Sequence, residues 1–350
     1  MRIILSLFFL LSWLASGSLL ASDFVVDINN KSQSLVGNTI FGYNQNPKKP
    51  KIIEVNHTGE VVWSYSVPKR LLANNPENKT KVSIVMDAKV LDNQNVLFTL
   101  RNSGIYEINR QGDVVWQHLD KEASHDVDRL ENGNTIYART WVEKGKDWVI
   151  EVDQDGQKVW SYDGISHFDQ YPFSDIDSGG WVHANSVERL SNGNTLISLR
   201  NFQMVVELDK QGEIVWKQLF DCKPYRRKFD INHKDSPVGC HAHGPEIDHE
   251  KNILIISVRM GRKRDQKPDK VYFIDRTTGQ AIREWSGERS RRIRDIDLLS
   301  NGNLLIQDNN KLIELNSDNE VVWQLRASKL KWDERSKSKS LYKAHRVTPR

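Results

Sequence analysis

A repeated hairpin phrase is the feature of this 350-residue chain that most constrains its fold. Three segments share it: HDVDRLENGNTIYART from residue 125, HANSVERLSNGNTLISLR from residue 183 and IRDIDLLSNGNLLIQDN from residue 293. Each places an Asn-Gly dipeptide between two runs of alternating apolar and polar residues. Asn-Gly is the strongest short signal for a β-hairpin, because a type I′ turn requires positive φ at both central residues. The phrase therefore predicts pairs of antiparallel strands.

A second repeated phrase, which contains a tryptophan, follows each hairpin. Its clearest copies are VIEVDQDGQKVWSY, VVELDKQGEIVWKQ and LIELNSDNEVVWQL, and weaker copies are KIIEVNHTGEVVWSY, IYEINRQGDVVWQHL and VYFIDRTTGQAIREW. Each copy reads as two more strands joined by a turn, so that one unit contains four strands. We expect the tryptophans that end the six units to pack between neighbouring units. They are Trp63, Trp116, Trp160, Trp216, Trp285 and Trp323.

Four-stranded units of about 40–50 residues with a repeated tryptophan are typical of a propeller. No helical period of 3.6 residues competes in the middle of the chain. We predict an all-β protein, a six-bladed β-propeller of four-stranded antiparallel blades, over residues 22–326. The basic C-terminal tail, residues 327–350, is expected to be partly disordered, because its many charges can bury little surface, or to supply the strand that closes the ring. The segment after Ser22 is the other candidate for that closing strand.

The N-terminus has the plan of a secretory signal peptide. Arg2 is followed by the apolar run 3–14 and then by small residues. The run is shorter than the roughly 20 apolar residues that span a bilayer, which favours cleavage over a transmembrane anchor. We expect a signal peptide over residues 1–21 and a periplasmic or secreted protein with no stable membrane span after cleavage. In such a compartment, Cys222 and Cys240 read as one disulfide.

Histidines and arginines fall at equivalent places in three consecutive units. Counting outward from each turn puts a histidine at the start of the first strand beside an arginine at the end of the second, so that all six reach one rim of the channel. The pairs are His125 with Arg139, His183 with Arg200, and His243 with Arg259. The same count places His125 opposite Thr140 and His243 opposite Val258. Arg101 takes the place of Arg200 in unit two, and Arg294 takes the place of His125 in unit six.

Three chemical interpretations of this rim can be compared. Repeats copy residues, so the side chains could be purely structural, although three pairs in register argue against that. A three-histidine zinc site is disfavoured because guanidinium groups repel a dication and no carboxylate is placed to orient the histidines. An anion site fits best, because arginine offers fixed charged donors for oxyanions, and imidazole can act as a nucleophile or proton carrier. We therefore expect neither a metal nor a cofactor.

The segment 181–200, which reads W-V-H-A-N-S-V-x-x-L-x-N-G-N-x-L-x-S-x-R, resembles the bacterial arylsulfotransferases, as does the repeated V-x-E-x-D-x-x-G-x-V-V-W. The resemblance covers about residues 36–325. It implies a periplasmic six-bladed propeller that moves a sulfuryl group from an aryl sulfate to a phenol without a nucleotide sulfate donor. Matched by chain order and blade position, the family's three histidines and one arginine fall on His125, His183, Arg200 and either His241 or His243. The last histidine is the family's nucleophile, and a disulfide just before it fits Cys222 and Cys240.

The function that we expect is ping-pong sulfuryl transfer through a sulfohistidine. His243 is the preferred nucleophile over His241, Arg200 and His183 bind the sulfuryl oxygens, and His125 carries the phenolic proton. Four further residues are expected to contact the substrate: Arg101, Arg139, Asn185 and Arg259. The partners are a small-molecule aryl sulfate and a phenol.

Other functions are compatible with the same sequence. A non-catalytic propeller could be a ligand-binding or assembly scaffold that keeps an anion pocket, because a fold does not establish a function. A quinoprotein dehydrogenase is weakened by the six units and by the absence of vicinal cysteines. The 50 Lys and Arg residues nearly balance the 46 Asp and Glu residues, so composition gives no sign of a nucleic-acid partner. The sequence indicates no oligomeric state.

Overall fold

The computed structural model of the chain describes residues 23–72, 83–176, 179–220, 241–259, 268–288, 290, 292–330 and 341–347. The predicted signal peptide and the predicted Cys222–Cys240 disulfide lie outside the described residues. Within the described ranges the chain forms 25 strands and two four-residue helices. No helix in these ranges has the length and apolar character needed to cross a bilayer.

The structure confirms an all-β protein in which six antiparallel sheets are the blades of a propeller. The N-terminal strand is β1 (Phe24–Asn29). Blade 1 contains β2 (Asn38–Tyr43), β3 (Lys51–Val55) and β4 (Val61–Ser66). Blade 2 contains β5 (Val85–Val90), β6 (Val96–Leu100), β7 (Gly104–Ile108) and β8 (Val114–His118). Blade 3 contains β9 (Ala123–Arg129), β10 (Thr135–Arg139), β11 (Val149–Val152) and β12 (Lys158–Tyr162).

Blade 4 contains β13 (Ala184–Arg189), β14 (Thr195–Leu199), β15 (Met204–Leu208) and β16 (Ile214–Leu219). Blade 5 contains β17 (His241–Asp248), β18 (Ile253–Arg259), β19 (Lys270–Asp275) and β20 (Ala281–Trp285). Blade 6 contains β21 (Ile293–Leu298), β22 (Leu304–Asp308), β23 (Lys311–Leu315) and β24 (Val321–Ala327). The last described strand is β25 (Leu341–Val347). The helices are α1 (Lys69–Leu72), between blades 1 and 2, and α2 (Ile165–Phe168), between blades 3 and 4.

Both ends of the chain take part in closing the ring. The C-terminal strand β25 pairs with β2, with Ile40 opposite His345, and becomes the innermost strand of blade 1. The N-terminal strand β1 pairs with β24, with Val26 opposite Leu325, and becomes a fifth, outermost strand of blade 6. Blade 1 therefore takes its channel-lining strand from the other end of the sequence.

Five of the six repeated tryptophans pack between blades through a recurring three-residue contact, as predicted. Trp116 in blade 2 donates its indole N–H to the Gln154 carbonyl of blade 3 (2.8 Å). Arg129 of blade 3 lies over the Trp116 ring at 4.6 Å and pairs with Glu107 (2.7 Å), the residue opposite Trp116. The equivalent sets are Glu54–Trp63–Arg110, Glu151–Trp160–Arg189, Glu207–Trp216–Arg276 and Glu314–Trp323–Arg346.

The seam between blades 5 and 6 is built differently. Arg283 of blade 5 lies over the Phe273 ring at 3.4 Å and donates to the Ser317 carbonyl of blade 6. Phe273 pairs with Arg283 across β19 and β20, so an aromatic residue stands where the other seams have a glutamate, and an arginine stands where they have the tryptophan. Trp285 lies two residues further on, opposite Val271, so the prediction that it is equivalent to the other five tryptophans was wrong.

A bulge interrupts the pairing of the first and second strands in every blade. Because a bulge sets two residues against one, the pairing that results from counting outward from the turns is wrong by one or two residues. His243 lies opposite Ser257 instead of Val258. In blade 3 it is Ala123 that pairs with Arg139, and His125 falls inside the bulge.

The channel end away from the predicted rim carries a dense set of charges. Lys343 of β25, a buried residue, lies 3.0 Å from Asp126 and 3.3 Å from Asp295. His345 donates to Asp87 (2.8 Å). A cavity of about 260 Å³ is bordered by Lys343, His345, Asp126 and Asp295. The strand that closes the ring therefore supplies buried cations to carboxylates that the other inner strands provide.

Candidate active site at the channel rim

Two of the predicted histidines sit on strained backbone at the rim. His125 has φ 67° and His183, just before β13, has φ 56°, a region that residues other than glycine rarely adopt. Both side chains are buried, and their rings are 5.4 Å apart at 75°. Strain of this kind persists where the surrounding structure imposes it and is frequent at functional sites.

The third predicted histidine, His243, is buried on β17 and is followed by a glycine that lets the strand approach its neighbour. Gly244 has φ 56°, and a Cβ there would stand 2.9 Å from the Ile296 backbone nitrogen of blade 6. A side chain at this position would push β17 away from β21. The sequence His-Gly thus positions His243 at the blade 5 side of the rim.

The hydrogen bonds of His125 fix its tautomer. Its Nδ1 lies 2.7 Å from the hydroxyl of Thr140, and that hydroxyl also lies 2.8 Å from the Ala184 carbonyl. A carbonyl only accepts, so the Thr140 proton goes to Ala184 and His125 Nδ1 must carry the proton that it donates to Thr140. Nε2 of His125 is therefore the nitrogen with the lone pair. Ser124 also lies 2.7 Å from Nδ1.

The other two histidines have the same tautomer. His183 Nδ1 donates to the Gly179 carbonyl (2.8 Å), and His243 Nδ1 donates to the His241 carbonyl (3.3 Å). Nε2 of His183 in turn accepts from Arg200 Nη1 at 2.6 Å. Within the described part of the chain, Nε2 of His125 and Nε2 of His243 accept no hydrogen bond. These two lone pairs are available for chemistry, whereas that of His183 holds Arg200 in place.

Burial and nearby positive charges keep the three imidazoles neutral. Desolvation lowers the pKa of each histidine well below its usual value. For His183 and His243, Arg200 adds to this effect, and Arg259 adds more for His243. A neutral imidazole is the form that can attack an electrophile or accept a proton.

Aromatic rings and guanidinium groups border the histidines. Trp141 lies 5.2 Å from the His125 ring and 5.7 Å from the His183 ring. Tyr342, from the closing strand β25, meets His125 edge-on at 5.5 Å. Arg101 lies 4.1 Å over Trp141, and a further guanidinium, that of Arg294, lies 4.7 Å over Tyr342. Such a wall can hold an aryl ring next to donors for an anion.

The structure places the other predicted site residues at the edges of this cluster. Asn185, buried on β13, donates to the Ala242 carbonyl (2.9 Å) and ties blade 4 to blade 5. Its Oδ1 is buried without a hydrogen-bond partner in the described chain. Arg259 is buried, with Nε 3.6 Å from Asp269. His241 lies opposite Arg259, with its ring 6.4 Å from that of His243.

Arg139 is not brought to the rim. Its Nε lies 2.9 Å from Asp120, and its Nη1 donates to the Asp147 carbonyl (3.1 Å). The bulge in blade 3 turns this side chain away from the channel, and the next residue, Thr140, reaches His125 instead. The expected pairing of Arg139 with His125 was therefore wrong.

Sequence reasoning gave no role to three residues of the cluster: Thr140, Trp141 and Tyr342. The count from the turn did place Thr140 opposite His125, but it assigned the function to the preceding residue, Arg139. Tyr342 lies in the tail, whose place in the ring the sequence left open. Among the described residues, no group of three or more His, Cys, Asp or Glu side chains is arranged to hold a metal ion.

Comparisons with known proteins agree with this architecture. A solved structure of a protein of unknown function from Bacteroides caccae matches with a TM-score of 0.58 and 16% identity, covering 89% of this chain and 98% of that chain. Virginiamycin B lyase from Staphylococcus aureus, in a catalytically inactive form with quinupristin, matches at 0.47 and 15%, covering 85% and 87%. BamB from Moraxella catarrhalis matches at 0.43 and 12%, covering 83% of each chain. Only the first of these supports the fold, and at such identities none indicates a function.

A search of curated proteins found no match. The sequence model of the family described as arylsulfotransferase (ASST), however, matches residues 25–219. The matched segment is more than half of the chain and contains His125, His183 and Arg200. The protein therefore belongs to the arylsulfotransferase family.

Proposed function

We propose that this protein transfers a sulfuryl group from an aryl sulfate to a phenol through a histidine of the channel rim. The observation that carries the proposal is the group of three buried, neutral histidines whose Nε2 atoms carry the lone pair, next to Arg200. Family membership supports sulfuryl transfer in general. The tautomers support a free Nε2 lone pair on both His125 and His243. The resemblance to the family gives the last histidine, His243, the role of nucleophile and leaves His125 as the proton carrier.

In the first half of the reaction, Nε2 of His243 attacks the sulfur, and the bond between sulfur and the aryl oxygen breaks. The aryloxide leaves with the electron pair, and the sulfuryl group stays on His243. Arg200, oriented by His183, donates to the sulfuryl oxygens as charge develops on them. Preorganised donors of this kind usually make the largest contribution to such a barrier.

In the second half, a phenol replaces the departed aryl group. Nε2 of His125 accepts the phenolic proton while the phenol oxygen attacks sulfur and the N–S bond breaks, which returns neutral His243. A phenol of pKa about 10 needs such a base near neutral pH. The lowered pKa of His125 then makes its protonated form a good acid for the aryloxide that leaves in the next turnover.

The test uses 4-nitrophenyl sulfate as donor and phenol as acceptor, with release of nitrophenolate followed by absorbance. With donor alone, we expect a burst equal to the enzyme concentration and a sulfuryl mass on the peptide that contains His243. His243→Ala should remove both, and His241→Ala, the neighbouring control, should keep both. Turnover without a labelled histidine would refute the covalent intermediate. If no aryl sulfate is cleaved, the protein is better described as a scaffold with an anion pocket.

A further inference from the structure

Arg101 is a partly buried cation of the rim that the proposed reaction does not use. Its guanidinium lies over Trp141 (4.1 Å), and its Nε is buried without a hydrogen-bond partner in the described chain. The sulfate ester of a phenol carries one negative charge, which the proposed function assigns to Arg200. A charge left uncompensated in a buried site is unfavourable, so Arg101 points to a ligand with a second anionic group.

Arg101 is the guanidinium best placed to bind the second anionic group. It follows β6, where its backbone N–H donates to the Ile84 carbonyl (3.0 Å). Its side chain lies over Trp141 at 4.1 Å, and its Nε is buried without a hydrogen-bond partner. Within the described ranges no carboxylate pairs with it, whereas Arg259 has Asp269. An unpaired guanidinium of this kind is suited to a carboxylate or sulfate, which it can bind through two parallel N–H donors.

The position of Arg101 separates it from the reacting sulfur. Arg101 belongs to blade 2, His243 to blade 5, and Arg200 is held by His183 in blade 4. Trp141 connects Arg101 with the histidines, because it contacts Arg101 as well as His125 and His183. An aromatic substrate beside Trp141 could thus direct one substituent to the histidines and another to Arg101.

We propose that Arg101 and Trp141 form a second anion subsite, so that the preferred substrates are aryl sulfates and phenols that carry an additional anionic substituent, such as a carboxylate. This inference rests on the proposed function, because it assumes that the aryl ring binds beside Trp141. In a ping-pong reaction the donor and the acceptor use the same aryl site in turn, so the preference applies to both.

The test compares acceptors that differ only in charge. With 4-nitrophenyl sulfate as donor, kcat/KM is measured for 4-hydroxybenzoate and for its neutral analogue 4-hydroxybenzamide, and again for the 3-hydroxy pair, which changes the distance between the groups. A hydrogen bond to a charged group predicts a preference for the carboxylate of roughly 10- to 100-fold in at least one pair. Arg101→Gln should reduce that ratio to about 1. Lys146→Gln, an equal charge change at an exposed rim loop, should keep the wild-type ratio.

The outcomes separate the two proposals. Transfer to phenol with a carboxylate-to-amide ratio near 1 in wild type overturns the subsite and leaves the transferase function standing. An unchanged preference in Arg101→Gln overturns the assignment to Arg101. If no acceptor is sulfated, the subsite is tested by calorimetry, which needs no turnover. The binding of 4-hydroxybenzoate and of 4-hydroxybenzamide is measured for wild type and for Arg101→Gln. Tighter binding of the carboxylate by wild type alone supports the subsite, and equal binding overturns it.

Discussion

Replacement of Lys343 by methionine tests whether the charged channel holds the ring closed. The side chain of Lys343 is 5% exposed and lies 3.0 Å from Asp126 and 3.3 Å from Asp295. Lys343→Met keeps most of the side-chain volume but leaves both carboxylates without this cation. Removing one partner of a buried ion pair costs about 3–5 kcal/mol. We expect a loss in the free energy of unfolding within that range.

The size of the loss should depend on pH through Asp295. Burial raises the pKa of Asp295 to about 6, so this carboxyl is largely protonated at pH 5 and ionised at pH 8. Lys343, whose pKa is raised by Asp126 and Asp295 against the effect of burial, stays charged at both values. At pH 5 the substitution removes this cation from one ionised carboxylate, Asp126, which keeps Lys89 at 3.6 Å, and at pH 8 it removes the cation from both carboxylates. The expected cost is therefore about 3 kcal/mol at pH 5 and about 5 kcal/mol at pH 8.

The measurement is urea denaturation followed by tryptophan fluorescence, at pH 5 and pH 8. Lys144→Met is the matched control, because Lys144 pairs with Asp169 where both side chains are about 40% exposed (41% and 42%). An exposed pair contributes about 0–1 kcal/mol, so this variant should stay close to wild type at both pH values. The reasoning is refuted if Lys343→Met costs no more than the control, or if its cost is the same at pH 5 and pH 8.

Three further predictions concern the site and the cysteines. Arg200→Lys should lower the rate of nitrophenolate release about 10²- to 10³-fold, because an ammonium lacks the planar fork of donors; near-normal turnover would make Arg200 structural. Thr140→Val should lower kcat and allow the other tautomer of His125, which ¹⁵N NMR of the imidazoles detects. Thr140→Ser should keep the wild-type kcat and tautomer, and an unchanged tautomer in Thr140→Val would contradict the assignment. Alkylation without reductant followed by intact mass should modify neither Cys222 nor Cys240, and two labelled cysteines would rule out the proposed disulfide.

The sequence by itself determined the blades. Asn-Gly turns and alternating strands are local signals, since each depends on the few residues that form one hairpin. The tryptophan phrase repeats because five of its six copies meet the same neighbour, an arginine of the next blade. Equivalence between units also located His125, His183 and Arg200, because corresponding residues of repeated units start from the same rim. Arg139 is the exception, since it turns to Asp120.

The tertiary structure decided which side chains meet at the rim. The sequence does not mark the bulge in blade 3, where Tyr137 pairs with Val127 but Arg139 pairs with Ala123. The count from the turn placed Thr140 opposite His125, but it wrongly expected the Arg139 side chain at the rim. Arg139 turned to Asp120, and Thr140 took the place beside His125. The position of His243 could not be predicted from the sequence either, because it depends on the close approach of Gly244 to blade 6.

Ring closure is the clearest case of a feature that the tertiary structure decides and the sequence does not. Blade 1 has no first strand of its own near β2 in the sequence, and the strand that fills this place begins about 300 residues later. Nothing local to β25 marks it as the innermost strand, because its charges read as a solvated tail. Only in the closed ring do Lys343 and His345 meet buried carboxylates, and only there does Tyr342 reach His125. The propeller could be predicted from contacts between neighbours in the sequence, whereas the complete site depends on a contact between its two ends.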